Sequence, residues 1–161
     1  GGGFLLNNEM GDFNAAPGLT TSTGLIGTEP NLARPQQRML SSMTPTILAK
    51  DGSLFAVVGS PGGRTIINSV LQVTLNLIDF DMTMQEAIDA KRIHHQWLPD
   101  QIRGEEGVVS AEEARLLEEM GHTLSLRGTQ GRTHCIRLDP ETGELIGAPD
   151  PRDPDSGAAG Y

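Results

Sequence analysis

Only one cysteine, one tryptophan and one tyrosine occur among 161 residues, and these scarcities exclude whole classes of protein. With Cys135 alone, no disulfide can close within the chain and no cysteine-rich metal site can be built. No run of 18 apolar residues is present, so no helical membrane span is expected. Positive charge is also short. Twelve Lys and Arg against 21 Asp and Glu leave a formal net charge of -9, and no local basic cluster offsets it. Nucleic acid and anionic lipid are therefore not expected partners, and the acidic balance reads first as solubility. No signal peptide is visible, although a processed chain would have lost one.

What is abundant is punctuation. Gly 20 and Pro 10 give a large share of the chain to turns, while a hydrophobic fraction of 37% still supports a core. The length is that of one domain. Gly1-Gly2-Gly3 runs straight into Phe4-Leu5-Leu6, read as a strand end, without a helix cap. The triplet is read as a loop within a longer fold or as a tag. From Asn7 to Pro45 little periodicity appears, and loops of such length are usually functional or covered by a partner.

Regular elements follow. Thr46–Ala49 and Leu54–Val58 flank Asp51-Gly52, a strong hairpin signal. An apolar run with helical spacing includes Ile66, Ile67, Val70, Leu71, Leu75 and Ile78, and its wide apolar face predicts packing against a sheet. Thr83-x-x-Glu86 and Ser110-x-x-Glu113 are capping boxes, opening helices to about Lys91 and over about 111–120, the latter closed by Gly121. A second hairpin pairs Thr133–Leu138 with Glu144–Gly147, and an acidic tail follows from Asp150. Hairpin, helices, hairpin is the order of an α+β fold with antiparallel strands and helices packed on the sheet. Cys135 lies in an apolar stretch and reads as a core residue.

Three stretches can carry chemistry. Gly59-Ser60-Pro61-Gly62-Gly63 joins a strand directly to a helix. Glycines there admit a ligand close to the backbone, and a helix start presents N–H groups with partial positive charge. Such a corner suits a phosphate or the oxyanion of a tetrahedral intermediate, and a plain tight turn accounts for it about as well. It is not a P-loop, because Arg64 stands where the lysine would. Glu9 and Asp12, three residues apart in a loop, can clamp an ammonium group or hold a metal, although solvated loop acids are commoner and no further acids recur at the spacing of a calcium loop. Ser41 and Ser42 can bind a carboxylate or make local backbone hydrogen bonds, and no Gly-x-Ser-x-Gly elbow makes either a nucleophile. His94 and His95 are adjacent, with His122 and His134 remote, so His94-His95-Gln96-Trp97 is expected to pack beneath a loop. No metal and no cofactor is expected.

Taken in order, Leu6-Asn7-Asn8-Glu9-Met10-x-Asp12-Phe13, Leu40-Ser41-Ser42-Met43-x-Pro45-Thr46, Gly59-Ser60-Pro61-Gly62-Gly63 and His94-His95-Gln96-Trp97-Leu98-Pro99-Asp100 resemble the small subunit of gamma-glutamyltranspeptidases. Gly147-Ala148-x-Asp150-Pro151-Arg152 and Ala159-Gly160-Tyr161 extend the resemblance over nearly the whole chain. It implies an N-terminal-nucleophile hydrolase fold, an αββα sandwich of antiparallel sheets with helices packed on them. It also implies a precursor that cleaves itself, freeing an N-terminal threonine to attack the gamma-glutamyl amide of glutathione or a related compound. Water or an amino acid or peptide acceptor then takes the acyl group.

By the same resemblance, Glu9 and Asp12 grip the α-ammonium of the glutamyl head, Ser41 and Ser42 its α-carboxylate, and Gly62 and Gly63 donate backbone N–H groups to the oxyanion. Only six residues precede Asn7 and residue 1 is glycine, so the nucleophilic threonine and its strands are expected outside residues 1–161. Those residues are read as a single domain, the incomplete C-terminal portion of the small subunit, inactive alone. The large subunit of the same precursor and the remaining N-terminal part of the small subunit are the expected partners. Open sheet edges would favour self-association, and the family points to a periplasmic, secreted or surface location. Two alternatives compete: an acylase of the same fold acting on another acyl group, and a non-enzymatic module that binds an amino acid or anion.

Overall fold

Asp51 and Gly52, with φ of 52° and 79°, are both left-handed, the backbone a two-residue hairpin requires. They turn β1 (Thr46–Lys50) back onto β2 (Ser53–Gly59) in a computed structural model that describes residues 2–4 and 6–159. The chain continues through α1 (Ile66–Ile78), α2 (Met84–Asp89), β3 (Ile93–His94), β4 (Ile102–Gly104), α3 (Ala111–Glu119), β5 (Leu124–Leu126), β6 (His134–Leu138) and β7 (Leu145–Ala148). Two compact units result. One comprises the described residues up to Ser41 with Gln96–Gln101; the other holds Ser42–His95 and the chain from Ile102 onward.

The larger unit is built on a four-stranded antiparallel sheet in the order β1-β2-β6-β7. Both α1 and α2 lie on one face of it. Ala56 and Val58 of β2, Cys135 of β6 and Ala148 of β7 point toward them, meeting Ile66, Val70, Val73 and Leu77 of α1 and Met84, Ala87 and Ile88 of α2. All eleven are buried, and each fully buried Val, Leu or Ile contributes about 1.5–3 kcal/mol. Burial pushes the Cys135 thiol up from its ordinary pKa, which agrees with a core residue and disfavours a nucleophile. On the other face, Ile47, Val57 and Ile136 stand directly across from one another and are exposed.

Both capping boxes form with their side chains engaged: Thr83 with Glu86 and Ser110 with Glu113. The helix of α1 is apolar on more than the face it buries. Its inner stripe is covered by the sheet, while Ile67, Leu71, Leu75 and Ile78 are exposed. A strand end at Phe4-Leu5-Leu6 does not form at the described positions, where Phe4 lies in a bend and Leu6 has no regular structure. Leu5 lies outside the described residues, as do Gly160 and Tyr161 of the closing motif.

A second sheet, β3-β4-β5, is not anticipated by the hydrophobic pattern. β3 pairs antiparallel with β4, and β4 pairs parallel with β5 across α3, so one β–α–β crossover interrupts the antiparallel scheme. Its strands are only two or three residues long, too short for alternation to show. Gln72 of α1 clasps β3 by its backbone, accepting from the Ile93 N–H at 2.9 Å and donating to the Ile93 carbonyl at 2.8 Å. His94 is buried in β3, and the His95 ring meets His122 edge-on at 6.2 Å. Trp97, in the smaller unit, is exposed, contrary to the packing role read for it. Among the described residues, no helix is long and apolar enough to cross a membrane.

The smaller unit is mostly irregular, with 3₁₀ turns at Glu9–Asp12 and Glu29–Asn31 and an isolated bridge between Asn14 and Leu32. Its organising residue is buried Asn31. The Asn31 side chain donates to the Asp12 carbonyl at 2.6 Å and accepts from the Leu40 N–H at 2.9 Å.

Candidate functional site

β2 is an inner strand, and it delivers Gly59 to a corner that needs glycine for its backbone. Gly62 has φ 142° and ψ 13°, and Gly63 has φ 55°. A Cβ on Gly62 would sit 2.6 Å from Thr65 Oγ1, whereas one on Gly63 would meet open space. The Thr65 hydroxyl donates to the Gly62 carbonyl at 2.9 Å and the Thr65 N–H does so at 3.2 Å, which fixes the turn from inside. A 3₁₀ turn, Gly63–Thr65, then leads into α1, and no side chain caps either start. The corner therefore presents backbone N–H groups with the helix's partial positive charge behind them, both glycines being exposed.

Glu9 and Asp12 open and close one 3₁₀ turn, a geometry in which side chains at i and i+3 eclipse. Their carboxylates thus share one side of the turn, Asp12 exposed and Glu9 half-buried. Asn31 ties this turn to the segment entering Ser41, since its side chain holds both Asp12 and Leu40. Nothing in the sequence pattern singled out Asn31. Its only signal was an Asn among loop residues, ambiguous without the fold. Ser41 ends the smaller unit and Ser42 begins the larger one, where the Thr44 hydroxyl donates to the Ser42 carbonyl at 2.9 Å. The structure thus gathers Glu9, Asp12 and the approach to Ser41 in one unit, and holds Ser42, Gly62 and Gly63 in the other.

The larger unit also contains a buried ionic cluster. Arg92 donates to Asp150 Oδ2 at 3.1 Å from both terminal nitrogens, and also to Thr133 Oγ1 at 2.9 Å and to the carbonyls of Ile88 (2.7 Å) and Gln130 (2.8 Å). Asp150 Oδ2 accepts in turn from the Thr133 N–H at 2.6 Å. Glu105 accepts from the Arg152 guanidinium and, at 2.9 Å, from the Gln130 N–H. Burial by itself raises the Asp150 pKa, but the Thr133 and Arg152 N–H groups and the Arg92 charge outweigh it and hold the carboxyl at about 2. Glu105 is likewise pushed up by burial and brought below its ordinary value by Arg152 and the Gln130 N–H. Burial and the neighbouring Arg152 charge draw the Arg92 pKa down, with Asp150 opposing them. Asp150 and Arg152 stood inside a recognised motif, but their partners, 92, 105, 130 and 133, are scattered along the chain and carry no spacing signal.

Among the described residues, no group of three His, Cys, Asp or Glu side chains is placed to hold a metal ion. An antiparallel sheet with helices on one face, and a glycine corner at the end of an inner strand, matches one α layer and one β layer of the αββα sandwich of the N-terminal-nucleophile hydrolases.

Comparison with known proteins narrows the class. Residues 1–160 match the family model for gamma-glutamyltranspeptidase. The chain is 48% identical over 159 residues to the glutathione hydrolase proenzyme of Escherichia coli (strain K12), covering 99% of this chain and 27% of that protein. It superposes on a mutant gamma-glutamyltranspeptidase of Helicobacter pylori with a TM-score of 0.85 at 44% identity, covering 95% of this chain and 83% of that one. The gamma-glutamyltranspeptidase of Pseudomonas nitroreducens complexed with L-DON gives 0.83 at 39% identity, covering 100% and 84%. The chain belongs to the gamma-glutamyltranspeptidase family. It spans about a quarter of the length of the curated relatives it matches, 27% and 28% for two bacterial proenzymes.

Proposed function

We propose that this chain is the substrate-holding C-terminal portion of an enzyme that cleaves gamma-glutamyl amides such as glutathione and passes the glutamyl group to water or to an amino acid or peptide acceptor. The observation that carries this reading is the Gly62-Gly63 corner, with φ of 142° and 55° at the mouth of an uncapped helix. Donors fixed in advance at the position of a developing oxyanion stabilise the transition state more than the ground state, and removing one typically slows turnover by about 10²–10³-fold.

The remaining roles suit a zwitterionic head. Glu9 and Asp12, on one side of one turn, hold the α-ammonium by charge-assisted hydrogen bonds. Ser41 and Ser42 donate hydroxyls to the α-carboxylate. Gly62 and Gly63 supply N–H donors to the oxyanion. The attacking nucleophile is a threonine at the free N-terminus of the processed small subunit, whose own amine takes the proton. Relatives named as proenzymes support a precursor of this kind, with a large subunit as the partner that completes the pocket. Membership of the family is the ground for proposing a periplasmic, secreted or surface location.

The test is hydrolysis of a gamma-glutamyl anilide by the full-length protein that contains this chain. Release of the aniline, faster on adding an acceptor dipeptide, supports the reading. Turnover of an aliphatic acyl amide with none of the gamma-glutamyl compound would instead establish the acylase. Tight glutathione binding with no turnover of either would establish a binding module.

A further inference from the structure

The glycine corner does not stand alone. The loop before β6 is pressed against it, and that loop is clamped at both ends by the buried ionic cluster. At one end the Gln130 carbonyl accepts from Arg92 at 2.8 Å and its N–H donates to Glu105 at 2.9 Å. At the other, the Thr133 N–H and hydroxyl both donate to Asp150, at 2.6 Å and 2.9 Å. Gln130, Thr133, Arg92, Glu105 and Asp150 are all buried. Between the clamps only Gly131 and Arg132 remain, and the Gly131 backbone and the Arg132 N–H face the corner, while the Arg132 side chain pairs with Asp153.

The contact is close and specific. The Arg132 N–H donates to Ser60 Oγ at 3.2 Å. A Cβ on Gly131 would fall 2.6 Å from Ser69 Oγ and 2.8 Å from Ser60 Oγ, and its φ of 66° already disfavours a side chain. From the opposite side, a Cβ on Gly62 would lie 3.5 Å from the Gly131 Cα. Ser69, buried on the first turn of α1, and Ser60, just after β2, bracket the corner on either side.

We infer that Gly131 and Ser60 are positioning residues for the proposed oxyanion donors: the loop of 130–133, locked to the Arg92–Asp150 and Glu105–Arg152 pairs, sets where Gly62 and Gly63 present their N–H groups. The inference rests on the oxyanion role given to that corner above. Neither residue touches the substrate. Gly131 acts by being small enough to let the clamped loop seat, and Ser60 by accepting the Arg132 N–H that joins loop to corner. The ionic cluster thereby gains a role in rate as well as in stability, because donors displaced by as little as an ångström lose about 10²-fold.

The experiment uses the full-length protein with Gly131→Ala and Ser60→Ala, reading kcat and KM for a gamma-glutamyl anilide and, separately, amide hydrogen exchange at residues 62–66. Gly131→Ala is expected to lower kcat about 10–100-fold and Ser60→Ala several-fold, with KM moving less than about 3-fold. Within 62–66, exchange should quicken in both variants at Thr65 and Ile66, whose N–H groups bond the Gly62 and Gly63 carbonyls, and more in Gly131→Ala. Wild-type exchange at 62–66 in the folded variants, or a fall in kcat matched by a general loss of protection throughout the sheet, overturns the inference. If Gly131→Ala does not fold, Ser60→Ala decides by the same readings. A wild-type protein inert toward gamma-glutamyl anilides overturns the functional reading alone, since hydrogen exchange still reports whether the loop holds the corner.

Discussion

Arg92 and Asp150, separated by 58 positions in the chain, meet at 3.1 Å with side-chain exposures of 1% and 0%. A buried pair of this kind is costly to break from one side, because the remaining charge is left without a partner in a medium that solvates it poorly. Asp150→Asn should therefore lower stability by about 3–5 kcal/mol at neutral pH. Urea midpoints followed by circular dichroism measure this, and a variant as stable as wild type would contradict the geometry.

The same carboxylate sets a pH dependence. Its pKa is lowered from 3.8 to about 2 on folding, so its contribution, about 2 kcal/mol, is complete above 3.8 and disappears as pH falls toward 2. The stability gap between wild type and Asp150→Asn should accordingly be constant from pH 7 to about 5 and narrow by about 2 kcal/mol between pH 4 and 2. A gap that widens on acidification would have the wrong sign.

Gly62 and Gly63 should respond unequally to alanine. At Gly62 the φ of 142° is closed to other residues and the added methyl meets Thr65 Oγ1, so Gly62→Ala should lower kcat by about 10²-fold or more. Gly63 has a φ of 55°, in the ordinary left-handed region with open space around it, and Gly63→Ala should cost about 1–2 kcal/mol in backbone preference with a smaller loss of rate. Steady-state kinetics on the full-length protein distinguish the two, and equal effects would argue against this geometry.

Glu9→Gln and Asp12→Asn test recognition of the ammonium. A lost charge-assisted hydrogen bond is worth about 1.5–3 kcal/mol, hence a rise of about 10–100-fold in KM for a gamma-glutamyl substrate. The effect should vanish for an analogue lacking the α-amino group. Equal losses on both compounds would remove these acids from the binding site.

Asn31→Ala should copy part of that phenotype from a distance. Its side chain joins the Asp12 carbonyl to the Leu40 N–H, so its removal loosens the turn carrying the acids and the approach to Ser41 together. KM should rise about 10-fold while the exchange protection of the four-stranded sheet is retained. A variant with unchanged KM would make Asn31 a purely local brace.

Much of this was legible wherever the cause was local. Asp51-Gly52 announces its turn because two consecutive positive φ values favour that pair. Thr83 and Ser110 announce helix starts because each cap and its glutamate lie three residues apart, and Gly121, with φ 94°, announces the end of α3. The glycine corner was visible for the same reason. The second sheet was not, because β3 is two residues long and β5 meets β4 in parallel across a helix, with neither alternation nor a turn to betray it. Periodicity marked Ile67 and Leu71 as apolar, yet could not tell a covered face from a bare one. The ionic cluster was hidden most completely, since Arg92, Glu105, Thr133 and Asp150 acquire meaning only when folding brings four distant segments together.

The row formed by Ile47, Val57 and Ile136 has a meaning of its own. One side of their sheet already leans on two helices, and a ribbon greasy on both sides has the character of a filling and not of a crust. Water is poor company for these three side chains. Left bare, the ribbon should drive copies of this chain to clump or to recruit chaperones.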